Sequence, residues 1–442
     1  MSDECMSNNR KRLKVLFIST WYPSSSIPGN GTFIKEHAKA VMTRNDVTVI
    51  YPCDPDLDSI YDVCISTEDG IDTVRCSVLG VISRSRNLLI DKLGETRAAR
   101  CGTASQRGRR PHRRAAAALL GNLYNVVESV TILIATFLGY SKLLSMRWRP
   151  DVVHAHIYSA VFPALLLSKL LRIPLVVTDH YIYFPPRTLT RVNQFIAVWS
   201  MSRCNLIICP TFAYADALKL NKIRGTYLVI PNTVDTAIFH PSPSELDRDC
   251  SAKKRILFVG NLVPKKGIPI LLEAIGEIAA ARNDFLLHII GDGPYRNEYE
   301  EICRKLGLWD SVRFHGFMVK TDVAQFMREC DFLVMPSYYE GFGVVYAEAI
   351  ASGLPVVGTN VRGPDEVVGH ATGLLVRPGD VGELKGAVEY MLDNHGKYLP
   401  GELHEIARTR YCHDTVGGML DEAYRSLLAS RPFRGQPPSL QQ

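Results

Sequence analysis

The stretch Phe332-Leu-Val-Met-Pro-Ser-Tyr-Tyr-Glu-Gly-Phe-Gly-Val-Val-Tyr-Ala-Glu-Ala-Ile350 decides how this chain folds. Its opening apolar run, closed by Pro336, suits a strand buried on both faces, and a helical pattern follows it. Gly341 and Gly343 stand where strand turns to helix, so the backbone there is free to approach a ligand. The first N–H groups of a helix lack internal partners and carry partial positive charge, which makes the turn an anion seat. Glu340 precedes that seat, and Glu348 lies about 7 Å along a helix starting near Gly343, at ~1.5 Å per residue. A diphosphate at the helix start would have a carboxylate near each end. Carboxylates accept hydrogen bonds from hydroxyls, and a nucleotide sugar carries hydroxyls on both sides of its diphosphate. The same two glutamates also suit a helix start through its dipole alone, so the remainder of the chain has to arbitrate.

Working outward, the strand-then-helix pattern repeats. In the first half the apolar runs are Val15–Ile18, Val47–Ile50, Val152–Ala155, Leu175–Thr178, Leu206–Cys209 and Leu228–Ile230. In the second half they are Ile256–Val259, Leu286–Ile290, Val312–Phe314, Phe332–Met335 and Pro355–Gly358. Strands alternating with helices give parallel, doubly wound sheets. Pro, Ser and charge replace periodicity after Phe239. The expected architecture is α/β, with two Rossmann-like domains over 13–238 and 255–410 facing across a cleft. A linker over 239–254 joins them, a terminal helical segment spans 411–430, and a Pro/Gln-rich tail over 431–442 is expected to be disordered.

A chain of 442 residues with 46% apolar content is a multidomain globular protein. Its eleven cysteines are scattered, and even the closest pair, Cys204 and Cys209, is too widely spaced for a Cys-x-x-Cys site. They read as buried thiols in a reducing compartment. The N-terminal residues are polar and the first apolar run is short, which predicts no export signal and a cytoplasmic location. The longest uncharged apolar stretch, Ser129–Ser141, falls short of the ~20 residues of a membrane span, so a soluble or peripherally attached protein is expected. The net charge is +6, yet Arg84–Arg114 alone holds ten Arg or Lys against Asp91 and Glu95. The positive charge therefore belongs to one segment, within a Gly/Ser/Arg-rich insertion over 84–125 that reads as a mobile loop giving way to helix at Ala115. It either stays solvated or faces an anionic surface. No aromatic interleaving supports nucleic acid.

Gly29-Asn-Gly31 and Gly291-Asp-Gly293 both lack the third small residue of a dinucleotide fingerprint, with Ile34 and Arg296 in that place. Gly260–Gly267 lacks the Gly-Lys-Ser/Thr of a phosphate-binding loop of the ATPase kind. It does offer a strand end and Lys266 opening a helix, the wrong sign for that position unless an anion lies nearby. His180 lies just past the strand Leu175–Thr178, where an imidazole can exchange a proton near neutral pH. Alternation along Val152–His156 puts His154 and His156 on one face.

Taken in order, these segments resemble the retaining glycosyltransferases of family 4, with the GT-B fold. The resemblance is carried by Val259-Gly-Asn-Leu-Val-Pro-Lys-Lys-Gly, Ile290-Gly-Asp-Gly-Pro, Phe314-His-Gly-Phe and the window from Glu340 to Glu348. It also rests on Pro231-Asn-Thr-Val-Asp235 and, more loosely, on Gly29/Gly31, Asp151–His156 and Thr178-Asp-His180. It implies that Glu340 holds the donor sugar's hydroxyls and Glu348 the ribose diol. Gly343 and Val344 N–H groups, with Lys266, would neutralise the diphosphate, and Phe317 would lie beside the nucleobase. Gly31 and His180 would face the reaction centre, with Gly29 and His156 on the acceptor side. Asn261 stands where the family usually has arginine, so one cation is missing from the diphosphate clamp.

The implied activity is a retaining, metal-independent transfer of a hexosyl or N-acetylhexosaminyl unit from a UDP- or GDP-sugar to a hydroxyl acceptor. No cofactor beyond the donor is expected. A lipid-linked acceptor would bring the basic segment 84–114 to a membrane surface. Alternatives of the same architecture are an epimerase, a phosphorylase or a non-catalytic sugar-nucleotide binder.

Overall fold

The computed structural model describes residues 11–27, 29–54, 56–57, 61–78, 111–180, 191–242 and 253–429, with backbone alone over 111–125 and at 191. These residues form two compact units. One comprises the chain up to Cys209, Ala217–Leu228, and residues from Leu420 onward; the other comprises Pro210–Asp216 and Val229–Met419.

In the first unit the elements run β1 (Lys14–Ser19), α1 (Thr32–Met42), β2 (Asp46–Tyr51), β3 (Tyr61–Glu68), β4 (Ile71–Val78) and α2 (Pro111–Ser145). Then come β5 (Val152–His156), α3 (Tyr158–Leu171), β6 (Leu175–Thr178), α4 (Arg191–Met201), β7 (Leu206–Cys209), α5 (Phe212–Leu220), which counts with the first unit only from Ala217, and β8 (Tyr227–Val229). The sheet order is β3-β4-β2-β1-β5-β6-β7-β8. Pairings around β1 are parallel, with Val15 opposite both Val47 and Val152, while β3 and β4 form an antiparallel hairpin at the edge. Val15, Leu16, Phe17 and Ile18 are wholly buried, as a central strand covered on both faces requires.

That hairpin does not show in the apolar runs. Asp62, Ser66 and Thr67 in β3 and Asp72, Thr73, Arg75 and Ser77 in β4 break up the apolar residues, so neither strand leaves an unbroken apolar run. The signal was the turn: Asp69 and Gly70 both have positive φ, which suits a two-residue hairpin connection of Asp-Gly type.

Helix α2 corrects two expectations. It begins at Pro111 and not at Ala115, so residues 111–125 are helix backbone; the basic run up to 110 lies outside the described residues. Moreover, Val126–Ser145 is long and apolar enough to cross a membrane by length and composition, because Glu128 and Lys142 interrupt the sequence without lowering its mean hydropathy enough. One side of it is core, with Ile132, Ala135, Tyr140 and Leu143 buried, and Val126, Val130 and Ile134 are exposed at four-residue spacing.

The second unit runs β9 (Lys254–Val259), α6 (Ile268–Ala279), β10 (Phe285–Ile290), α7 (Arg296–Lys305), β11 (Val312–Gly316), α8 (Lys320–Glu329), β12 (Phe332–Met335), α9 (Val344–Ala351), β13 (Val356–Thr359) and β14 (Gly373–Val376). Helices α10 (Val381–Asn394), α11 (Pro400–Tyr411) and α12 (His413–Leu428) follow. Its sheet is parallel, in the order β11-β10-β9-β12-β13-β14. The strand order reverses between β9 and β12, and in open α/β sheets such a switch point is where ligands bind, outside the carboxyl ends of the strands. The loop after β9 carries Lys266, and the loop after β12 carries Glu340.

Candidate active site

In the second unit β12 ends at Met335 and α9 starts at Val344, with Gly343 in the left-handed region at φ 74° as its N-cap. A Cβ at Gly343 would stand 2.4 Å from the Tyr346 ring, so the turn tolerates no side chain. Tyr346 is wholly buried and its hydroxyl donates to the Met335 carbonyl at 3.2 Å, which ties the helix back to the strand. Burial holds its phenol well above the usual tyrosine range, so it stays a neutral donor.

Glu340 is fixed from two sides. Ser337 Oγ donates to Glu340 Oε1 at 2.9 Å, and Lys266 Nζ donates to the same oxygen. The Glu340 and Lys266 side chains are only 10% and 15% exposed, so the pair is poorly screened by water. The two loops are joined along the backbone as well, the Tyr338 N–H donating to the Lys265 carbonyl at 2.8 Å. Lys266 does not open the helix: it closes a short 3-10 turn over Pro264–Lys266, and α6 begins at Ile268. Pro264 is the physical reason, because it starts a tight turn that Gly267, at φ 71°, then ends. A carboxylate, a cation and the start of a helix thus meet at the switch point. Ser337 was not foreseen; the Ser-x-x-Glu spacing was the available sign.

Glu348 lies in α9, one residue past the buried Ala347, and is part-buried. Asn261 and Phe317 are exposed at the starts of the loops after β9 and β11, Phe317 at 60%.

In the first unit Gly31 caps α1 at φ 66°, and a Cβ there would sit 2.6 Å from the Trp21 carbonyl carbon and oxygen. The β1–α1 loop therefore folds directly onto the helix start. Gly29, two residues before, is exposed. The loop is held from below by Arg75, which donates to the Pro23 carbonyl at 3.1 Å, to Asp54 at 2.7 Å and to Glu68 at 2.8 Å. This clamp was invisible in the sequence, because its partners are far apart along the chain.

The histidines converge as β-alternation predicts. His154 and His156 lie against each other, ring centroids 4.3 Å apart, and both are wholly buried. His156 consequently has no surface for an acceptor; it faces His180 across 3.3 Å. His180 is part-buried beside Phe33, and His37, four residues further along α1, packs edge-on against it. The i, i+4 spacing of Phe33 and His37 was the sign that His37 joins this cluster. Burial keeps His154 and His156 well below the usual imidazole range, so both are neutral near pH 7.

The family model described as glycosyl transferases group 1 matches residues 249–410, and that of Glycosyltransferase Family 4 matches residues 104–238. The chain is 30% identical over 280 residues to 2-deoxystreptamine glucosyltransferase of Streptomyces kanamyceticus, spanning 58% of this chain and 72% of that protein. In structure it is similar to sucrose-phosphate synthase of Thermosynechococcus elongatus, with TM-score 0.69 at 19% identity over 95% of this chain and 100% of the other. It is also similar to HepE of Anabaena in complex with UDP and glucose, with TM-score 0.64 at 20% identity over 94% of this chain and 100% of the other.

Proposed function

From the premise that this chain belongs to the group 1 glycosyltransferases and has their GT-B fold, we propose that it moves a hexosyl or N-acetylhexosaminyl unit from a nucleotide diphosphate sugar to a hydroxyl acceptor, with retention and without a metal ion. The observation that carries the reading is the Lys266–Glu340–Ser337 cluster at the start of α9. Helix N–H groups and a lysine neutralise the charge that grows on a departing diphosphate, which is the main task of the transition state. Glu340 holds sugar hydroxyls, and Glu348, further along α9, takes the ribose diol. Phe317 lies beside the nucleobase, and Asn261 beside the donor's diphosphate.

In this reading the bond from the anomeric carbon to the phosphate oxygen breaks as the acceptor oxygen attacks the same face. The acceptor's proton passes to the departing phosphate oxygen. No separate base is needed, and the protein's part is positioning and charge stabilisation. The bound UDP and glucose in HepE support a uridine donor. A lipid-linked acceptor on the inner membrane face, met by the basic segment 84–114, is the form of the reading that uses that segment's charge.

The test is a panel of UDP- and GDP-hexoses and N-acetylhexosamines, read by nucleotide release with a crude acceptor extract. One donor should dominate, and chelator should leave its turnover intact. Release only with orthophosphate would mark a phosphorylase, and strict Mg²⁺ dependence would overturn the metal-free assignment.

A further inference from the structure

Helix α2 has two faces, and both are apolar. The inner one packs on the sheet, with Ile132, Ala135, Thr136, Tyr140 and Leu143 buried. A Cβ at Gly139 would stand 2.9 Å from Cys76 Sγ on β4 and 3.1 Å from the Ile50 side chain on β2, so helix and sheet are in close contact there. At 3.6 residues per turn the opposite face is made by Val126, Val130 and Ile134, which are 44%, 49% and 44% exposed. Phe137 lies half-buried on the same side, and Ser141 is the next exposed position along it. A surface helix ordinarily carries charge there. Between Val126 and Ser141 the one charged residue is Glu128, and two residues before Val130 it falls on the far side of the helix from that valine.

The hydroxyls of α2 are satisfied without water. Thr131 Oγ1 donates to the Val127 carbonyl at 2.8 Å, Thr136 Oγ1 to that of Ile132 at 2.8 Å, and Ser141 Oγ to that of Phe137 at 2.9 Å. Each turns back on its own helix, which suits a surface that meets hydrocarbon. With 33% of its apolar stretch buried, α2 is no core helix. Nor can it span a bilayer while its inner face is committed to the sheet. It is built to lie along a surface.

Charge selects the occupant. Arg113, Arg114, Lys142, Arg147 and Arg149 stand within or just beyond α2 against Glu128 alone, and Lys142, Arg147 and Arg149 are exposed. A second copy of the chain would bring the same sign to the same face and be repelled. A protein partner is gripped mainly by Trp, Tyr and Arg anchors, whereas this stripe is aliphatic. An anionic lipid surface satisfies both features, its acyl chains taking the stripe and its headgroups the cations.

We propose that α2 lies in the plane of an anionic lipid surface, with Val126, Val130 and Ile134 among the acyl chains and Lys142, Arg147 and Arg149 at the headgroups. The contact is apolar and fixed by the fold, which sets it apart from the electrostatic pull of the basic run before Pro111. It agrees with a lipid-linked acceptor and does not depend on one.

The test is flotation of the full chain with vesicles of phosphatidylcholine alone and with about 30% phosphatidylserine, at low and high salt. Wild type should bind the anionic vesicles and keep part of that binding in high salt, since burial of aliphatic side chains is not screened. Val130→Lys/Ile134→Lys adds two positive charges, yet it should bind about ten- to a hundredfold less tightly because the apolar contact is lost. Val130→Leu/Ile134→Leu should bind at least as well as wild type. Both positions are exposed, so neither variant should lower the melting temperature. A lysine variant that binds as tightly as wild type would assign all binding to the basic run and overturn the proposal. So would equal binding to both kinds of vesicle, or none to either. Wild type that ignores vesicles and dimerises, beside a monomeric lysine variant, would make a second copy the occupant and overturn it too. Nucleotide release measured without lipid should be the same in wild type and both variants. Its absence from all of them would fail the transferase reading and leave the vesicle result standing.

Discussion

Glu340 and Lys266 are held against each other with little exposure to solvent, and each is the partner that the other's burial demands. If Lys266 stabilises the negative charge that grows on the leaving diphosphate, Lys266→Ala should lower kcat by more than it raises donor KM. Steady-state kinetics separate the two, and a raised KM with unchanged kcat would make Lys266 a ground-state binder only. Glu348→Ala should weaken the free nucleoside diphosphate by about ten- to a hundredfold, since losing a charged hydrogen-bond partner costs roughly 1.5–3 kcal/mol. Calorimetry with UDP and GDP measures this directly, and unchanged affinity would make Glu348 a helix-surface residue. The placement of Glu340 and Glu348 about the start of α9 was legible in the sequence because a strand-to-helix turn is local, whereas Lys266, expected to open a helix, closes a 3-10 turn. Ser337 and His37 were not legible, since their value comes from neighbours that only the fold supplies.

Elements built on apolar periodicity were read from sequence nearly to their ends, β1, β5, β6 and β12 among them, because a strand buried on both faces leaves an unbroken apolar run. The edge hairpin was missed because polar residues interrupt its strands, and β14 because its apolar run, Leu374–Val376, is very short. At the tips of these elements the Arg75 clamp does work that no periodicity encodes. The Asp54 side chain is 1% exposed and accepts from Arg75 at 2.7 Å. Arg75→Ala would leave that carboxylate buried and uncompensated, a loss of about 3–5 kcal/mol. The first unit's melting temperature should fall accordingly, and the Trp21–Pro23 loop should gain hydrogen-exchange rate; unaltered melting would mean that Asp54 finds water instead.

At the scale of the molecule, a few buried histidines, spread over both units, make stability sensitive to acid. Burial lowers His154 and His156 well below the ordinary range, and burial with the nearby His315 lowers His288 to about 4. Unfolded, each titrates near 6.5. Below that value the unfolded chain binds more protons than the folded one, so stability falls as pH drops, by up to about 1.4 kcal/mol per pH unit for each histidine kept neutral. Melting temperatures between pH 8 and 5 should be flat at first and then decline below about pH 6.5, the unfolded value; a level profile would show that these rings take up protons in place. A last consequence follows from α12. Its later turns belong to the first unit, where Leu420 and Tyr424 are wholly buried, Tyr424 meets His154, and Asp421 accepts from Asn45 at 2.9 Å. During synthesis the first sheet therefore leaves the ribosome without its strut, and must wait through the translation of the entire second unit to receive it. A chain stopped at Met419 should yield a second unit that melts normally beside a first unit that is protease-sensitive: the half made first is the half finished last.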